Sequence, residues 1–252
     1  MLISTPLEQF QIIPVCAFRL GVFDFSISNA TFIILIGLVG LVNIFYTLYA
    51  KDVNLLFAPS KIQYFFELIY ETILTMLVDS VGLRAQKYFP FILCIFLFVL
   101  TANIIGLVPY SFTITSHLIV TFALSLGVFV GINLICLKEH GFKTLSLFLP
   151  SGSSLGLAFL LVPIELVSYI FRPISLAVRL FANMMAGHTL LKVIAGFSWS
   201  MLLSTGFIFY FHFLPLVILV VLMGLELAVA CIQAYVFTIL SCIYLNDALN
   251  LH

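Results

Sequence analysis

Two apolar runs, 155–198 and 207–246, constrain this chain more than any other feature. Each is about forty residues long, so a continuous helix through either would reach ~60 Å, twice the ~30 Å hydrocarbon core of a bilayer. No turn cluster divides either run, although Pro163, Pro173 and Pro215 can bend them. Set upright, each helix would push half its length out of the lipid, and those ends are not polar enough for water. A strongly tilted hairpin, turning near Gly206, resolves the conflict. Two shorter helices broken at each proline are the alternative.

The rest of the chain fits the same solvent. Of 252 residues, 63% are hydrophobic and 8% charged, against about 25% charged in soluble domains. The expectation is an all-α integral membrane protein. A formal net charge of zero removes the electrostatic grounds for binding nucleic acid. Five cysteines stand singly with no CxxC pair, and read as small packing residues rather than metal ligands or disulfides. Residues 1–10 carry neither the basic start of a signal peptide nor the Arg/Ser bias of a transit peptide. Either the first apolar helix targets the chain, or it is made beside its own membrane.

Residues 1–30 read as an outer N-terminal segment that ends in a turn-like stretch at Asp24–Asn29, and 31–50 as the first transmembrane helix. Over 61–79, Gln63, Glu67, Glu71, Thr75 and Asp79 recur every four positions among Ile62, Phe65, Phe66, Ile69, Ile73, Leu74 and Leu77. That spacing predicts an amphipathic helix on the membrane surface; packing against a soluble partner is the plainer alternative. Spans at 89–108 and 117–137 form a transmembrane hairpin, followed by a loop at 138–154. With the 155–246 hairpin this makes about five membrane-embedded helices. Lys51, Lys61, Arg84, Lys87, Lys138 and Lys143 all fall on one side, which the positive-inside rule makes the inner one. The N-terminus is then outside and the C-terminus inside.

Charges inside the long hairpin are the functional signal. Arg179 lies in an apolar run with no acidic residue within a dozen positions. A guanidinium keeps its charge in lipid, and placing one at bilayer depth costs at least ~2.5–3.5 kcal/mol. Glu165, Arg172 and Arg179 are spaced by seven, which leaves each only about 20° out of line with the last on a helix. Asn183 extends that face, and Glu226, Gln233 and Asp247 follow the same lattice in the second arm. For arms folded about Gly206, His188 levels with Glu226, Arg179 and Asn183 with Gln233, and Glu165 with Asp247. Carboxylates and imidazoles, which relay protons near neutral pH, thus flank a fixed positive charge. His188, nine residues beyond Arg179, faces the opposite way on a straight helix, so its level with Glu226 does not establish contact.

The plainer reading of these groups is a polar network that glues helices together. It suits Arg172, Glu165 and Asp247 better than His188 and Glu226, and fails most clearly for Arg179, which Gln233 cannot neutralise. His117, His140 and His212 read as solvated residues at helix ends or in a loop; a metal site at His117 with some other group is the one metal candidate. HExxH, GxSxG, Walker and GxGxxG motifs are absent, so no machinery for chemistry on a bound substrate is visible.

The run Arg179-Leu-Phe-Ala-Asn-Met-Met-Ala-Gly-His188 resembles the signature of subunit a of F-type ATP synthases. Thr101-Ala-Asn-Ile-Ile-Gly-Leu-Val-Pro109 is similar to that family's third helix, and Gly224-Leu-Glu-Leu-Ala-Val-Ala-Cys-Ile-Gln-Ala-Tyr-Val-Phe-Thr238 to its last. Histidine at 188 with glutamate at 226 resembles the mitochondrial arrangement. The ends of the chain look like plant, algal or protist versions, with an alphaproteobacterial relative as the alternative. Arg172 stands where members often carry lysine or glutamine, which argues against a unique role.

The resemblance implies a stator subunit, not an enzyme on its own, in the mitochondrial inner membrane. Its partners would be a ring of c subunits, the peripheral stalk, other membrane-sector subunits and lipid. No cofactor is implied, and the transported ion would be the proton, although sodium is not distinguished by this chain alone. Protons would enter past His188 and Glu226, load a ring carboxylate, and leave near Glu165 and Asp247. Arg179 would attract the deprotonated carboxylate and separate the two half-channels, with Asn183 and Gln233 beside it. A stand-alone channel or secondary transporter, and a structural scaffold of a membrane complex, are the competing classes.

Overall fold

A computed structural model describes residues 6–20, 23–24, 26–50, 61–108, 111–141, 155–203 and 211–250. Six α-helices dominate them: α1 (Asn29–Ala50), α2 (Lys61–Val81), α3 (Phe89–Leu107), α4 (Leu118–His140), α5 (Leu155–Leu202) and α6 (Phe213–Leu249). A 3₁₀ segment, Leu83–Tyr88, leads into α3. Four of these helices (α3 with its leading turn, α4, α5 and α6) are long and apolar enough to cross a membrane, and α1 adds a shorter apolar stretch at Asn29–Asn43. The protein is an all-α membrane protein.

Both long helices run unbroken, so the alternative of shorter pieces divided at prolines is overturned. α5 has 48 residues and continues through Pro163 and Pro173. α6 has 37 residues, and Pro215 falls in its first turn, where the missing N–H removes no helical hydrogen bond. The predicted turn at Gly206 lies outside the described residues, as does the loop at 142–154. α4 extends to His140, so the start of the expected 138–154 loop is helical. His140 is accordingly not free in a loop: its Nε2 lies 3.1 Å from the Leu249 carbonyl oxygen.

The N-terminal segment departs from the expected turn. Short antiparallel strands pair there: β1 (Pro14–Cys16) with β4 (Ile27–Ser28), and β2 (Arg19–Leu20) with β3 (Phe23–Asp24). Asn29 ties this segment to α1. Its Nδ2 donates to the Gln11 carbonyl at 3.1 Å, and its Oδ1 accepts from the Ile13 and Ala30 amides. Ser28 Oγ accepts from the Thr31 amide at the start of α1, where helical N–H groups lack carbonyl partners.

By its contacts the chain divides into two units. One comprises 1–43, 98–118 and 180–234; in it Asn103, fully buried on α3, donates to the Ala230 carbonyl of α6 at 3.3 Å. The other comprises 44–97, 119–179 and 235–252, and holds an apolar core of Ile73, Met76, Leu77, Ala85, Phe89, Ile92, Cys242 and Leu245. The four-residue spacing of Ile69, Ile73 and Leu77 puts one stripe of α2 into that core, with Glu67, Glu71 and Thr75 left exposed. Leu77 is fully enclosed. Leu77→Ala should cost about 2–5 kcal/mol, read as a lower thermal unfolding midpoint of the detergent-solubilised protein.

Candidate functional site

In the first unit α5 and α6 run antiparallel, and polar contacts are among those that join them. Asn183 Nδ2 donates to Gln233 Oε1 at 2.9 Å. Gln233 is buried; its partner is Asn183, an amide to an amide. One turn further along α5 the backbone opens at Gly187, and the Glu226 carboxylate of α6 lies against it. Nearer the end of the helices, Ser198 Oγ donates to the His212 carbonyl at 3.4 Å.

His188 and Glu226 line one partly open cavity of about 270 Å³, with Asn183, Gly187, Leu107 and Leu222 among its walls. Liquid water takes about 30 Å³ per molecule, so several fit, and waters settle where polar groups receive them. The groups are there. His188 Nε2 and both Glu226 carboxylate oxygens are buried with no hydrogen-bond partner among the described residues. Such atoms are costly when left dry. An imidazole and a carboxylate lining one cavity are groups of the kind that pass protons once water joins them.

In the second unit a different cluster forms. Arg172 Nη1 donates to Asp247 Oδ2 at 2.8 Å. Its guanidinium lies over the rings of Tyr169 and Tyr244, 5.4 and 5.2 Å from their centroids. The Tyr169 hydroxyl donates to Asn133 Oδ1 of α4, and the Tyr169 ring packs on Phe129. Depth counting had levelled Asp247 with Glu165; the carboxylate instead pairs with Arg172. Glu165 is half-buried and makes no ion pair or hydrogen bond among the described residues.

Arg179 also belongs to this unit and differs from Arg172. It is exposed on α5, with no hydrogen bond or ion pair among the described residues. His117 stacks on Phe112 with centroids 5.0 Å apart. Among the described residues no three metal-binding side chains converge. Sequence reasoning missed Tyr169, Tyr244 and Gly187. The two tyrosines had a signal, since each stands three residues from Arg172 or Asp247 on the same helix. Gly187 had none beyond being a glycine inside a helix.

The family profile described as ATP synthase A chain matches residues 30–246. The chain belongs to that family. It is 57% identical to ATP synthase subunit a of Pylaiella littoralis over 249 residues, covering 99% of each chain. It is 47% identical to ATP synthase subunit a of Chondrus crispus, covering 100% of this chain and 98% of the relative. ATP synthase subunit a-2 of Arabidopsis thaliana is 45% identical, with 100% of this chain and 73% of the relative covered.

The Arg172–Asp247 pair makes a prediction of its own. Arg172→Gln should destabilise the protein more than the double variant Arg172→Gln/Asp247→Asn does, because the single change strands a carboxylate among rings. A double-mutant cycle on the thermal midpoint should give a coupling of about 1–3 kcal/mol.

Proposed function

We propose that this chain is the proton-conducting stator subunit of an ATP synthase membrane sector, without catalysis or cofactor of its own. The observation that carries the reading is Arg179: a permanent charge on an apolar helix, exposed, and unpaired among the described residues. Its counter-ion is then a carboxylate of a neighbouring subunit, on a ring of c subunits that moves past it. The peripheral stalk and other membrane-sector subunits hold the chain still, and lipid covers its remaining apolar faces.

The chemistry follows from the order of groups along the hairpin. Water in the cavity of His188 and Glu226 delivers protons from the outer side to a ring carboxylate. Neutralised, that carboxylate enters lipid and the ring turns. On the inner side it releases its proton towards Glu165 and Asp247, and the anion is drawn to Arg179. The fixed cation prevents a proton from hopping directly between the inlet and outlet paths, while Asn183, four residues further along α5, and its partner Gln233 supply uncharged hydrogen-bonding groups. Each proton contributes ~2.3 kcal/mol per 100 mV. A leak would dissipate that without rotation.

Helix length supports the placement. At 1.5 Å per residue, α5 extends about 72 Å, far more than a bilayer core, so α5 and α6 lie strongly inclined in the membrane. Lysine and arginine placement sets the N-terminus outside and the C-terminus inside. The mitochondrial pattern of histidine at 188 with glutamate at 226 supports the mitochondrial inner membrane as the location.

In the assembled synthase, Arg179→Ala should abolish proton-driven ATP synthesis and leave a passive proton leak, measured in reconstituted vesicles under an imposed gradient. Intact synthesis would overturn the assignment. Arg179→Lys should also fail, since an ammonium lacks the guanidinium fork and can lose its proton when dehydrated. Glu226→Gln should slow proton uptake at least tenfold while the complex still assembles on native gels. Loss of the whole complex in that variant would favour a structural role for Glu226.

A further inference from the structure

In the outer cavity a carboxylate lies close against a helix backbone. Gly187 stands inside α5, where glycine is less favourable than alanine, so its presence asks for a reason. A methyl group built there would collide with Glu226 Oε1 and lie 3.0 Å from Cδ and 3.2 Å from Cγ. Contact with three consecutive side-chain atoms means that turning the carboxylate alone does not relieve the clash. Either the whole Glu226 side chain must change rotamer or the two helices must part. At Gly196 on the same helix, and at Gly224 on α6, a methyl group would meet nothing within 4 Å.

We infer that Gly187 is a positioning residue of the outer proton path. Its missing side chain lets the Glu226 carboxylate lie on the α5 backbone, in the same cavity as the neighbouring His188, and fixes where that carboxylate takes up and releases its proton. Both carboxylate oxygens lack a protein hydrogen bond among the described residues, so no polar group among those residues would hold them in place once the contact with Gly187 is lost. The inference rests on the reading of His188 and Glu226 as the outer path. A methyl group at 187 displaces the carboxylate by about one carbon–carbon bond, ~1.5 Å. Shortening the acid by one methylene gives back about the same distance.

The test is a cycle of Gly187→Ala and Glu226→Asp in the assembled synthase, read as ATP-driven proton pumping in vesicles and as assembled complex on native gels. Gly187→Ala should lower pumping at least tenfold with assembly retained, yet cost less than twofold when added to Glu226→Asp. Should Gly187→Ala instead block assembly, Glu226→Asp should restore it through the same contact. Equal losses in both backgrounds, failure of that restoration, or a harmless Gly187→Ala would each overturn the inference. Glu226→Gln, measured alongside, tests the underlying reading separately: normal pumping in that variant removes Glu226 from the path whatever the cycle gives.

Discussion

A guanidinium in lipid must be answered by a negative charge, and where that charge resides decides what the arginine can do. Helix α5 carries two arginines seven residues apart, in opposite situations. Arg172 is held by Asp247 at 2.8 Å between two tyrosine rings. Releasing it would leave two partly buried charges without their partners. Arg179 has no such partner among the described residues. A cation already neutralised within its own chain cannot follow a passing carboxylate; an unanswered one can. The division of labour between chemically identical side chains is therefore set by Asp247, Tyr169 and Tyr244, more than by the arginines themselves.

Unbroken helices make that arrangement possible. A proline inside a helix removes one hydrogen bond and crowds the carbonyl four residues back, at ~3 kcal/mol or more. α5 carries two and stays continuous, which keeps its groups in one helical phase. Had the helix divided at Pro173, the spacing between Arg172 and Arg179 would fix neither depth nor direction. Sites that discriminate by charge need rigid supports, and a long hydrogen-bonded rod in lipid is one.

Much of this was legible in the sequence, because lipid punishes any backbone that does not bond to itself. Hence the apolar runs appear as α1, α3, α4, α5 and α6, and the four-residue polar repeat as α2, close to the expected limits. The N-terminal strands were not legible: two- and three-residue pairings at Pro14–Ser28 have no periodicity to read. The polar partners were only half legible. Depth counting about a turn assumes parallel axes and short side chains. The contacts instead advance four residues on α5, from Asn183 to Gly187, for seven on α6, from Gln233 to Glu226. Arg172, with its long reach, took an acid that depth alone had given to Glu165. Level is a sequence property; azimuth and reach are not.

Hydrogen-bond satisfaction sorts the hairpin's polar groups better than their spacing does. Tyr169, Arg172 and the Asn183–Gln233 amides each make at least one bond to a group of the chain, although Gln233 Nε2 has none among the described residues. Those bonds repay desolvation in place, and a group so held keeps one geometry. His188, Glu226 and Arg179 make none among the described residues. An unsatisfied titratable or charged group calls for an explanation, and water or a partner outside the chain is one. For His188 and Glu226 the cavity supplies room for water, whose bonds can be remade as a proton arrives or leaves. For Arg179, exposed on its helix, the proposed answer is an ion brought by another subunit. Groups bonded within the chain hold one geometry, and the unbonded His188, Glu226 and Arg179 are those to which the proposed function assigns proton entry and the ring carboxylate.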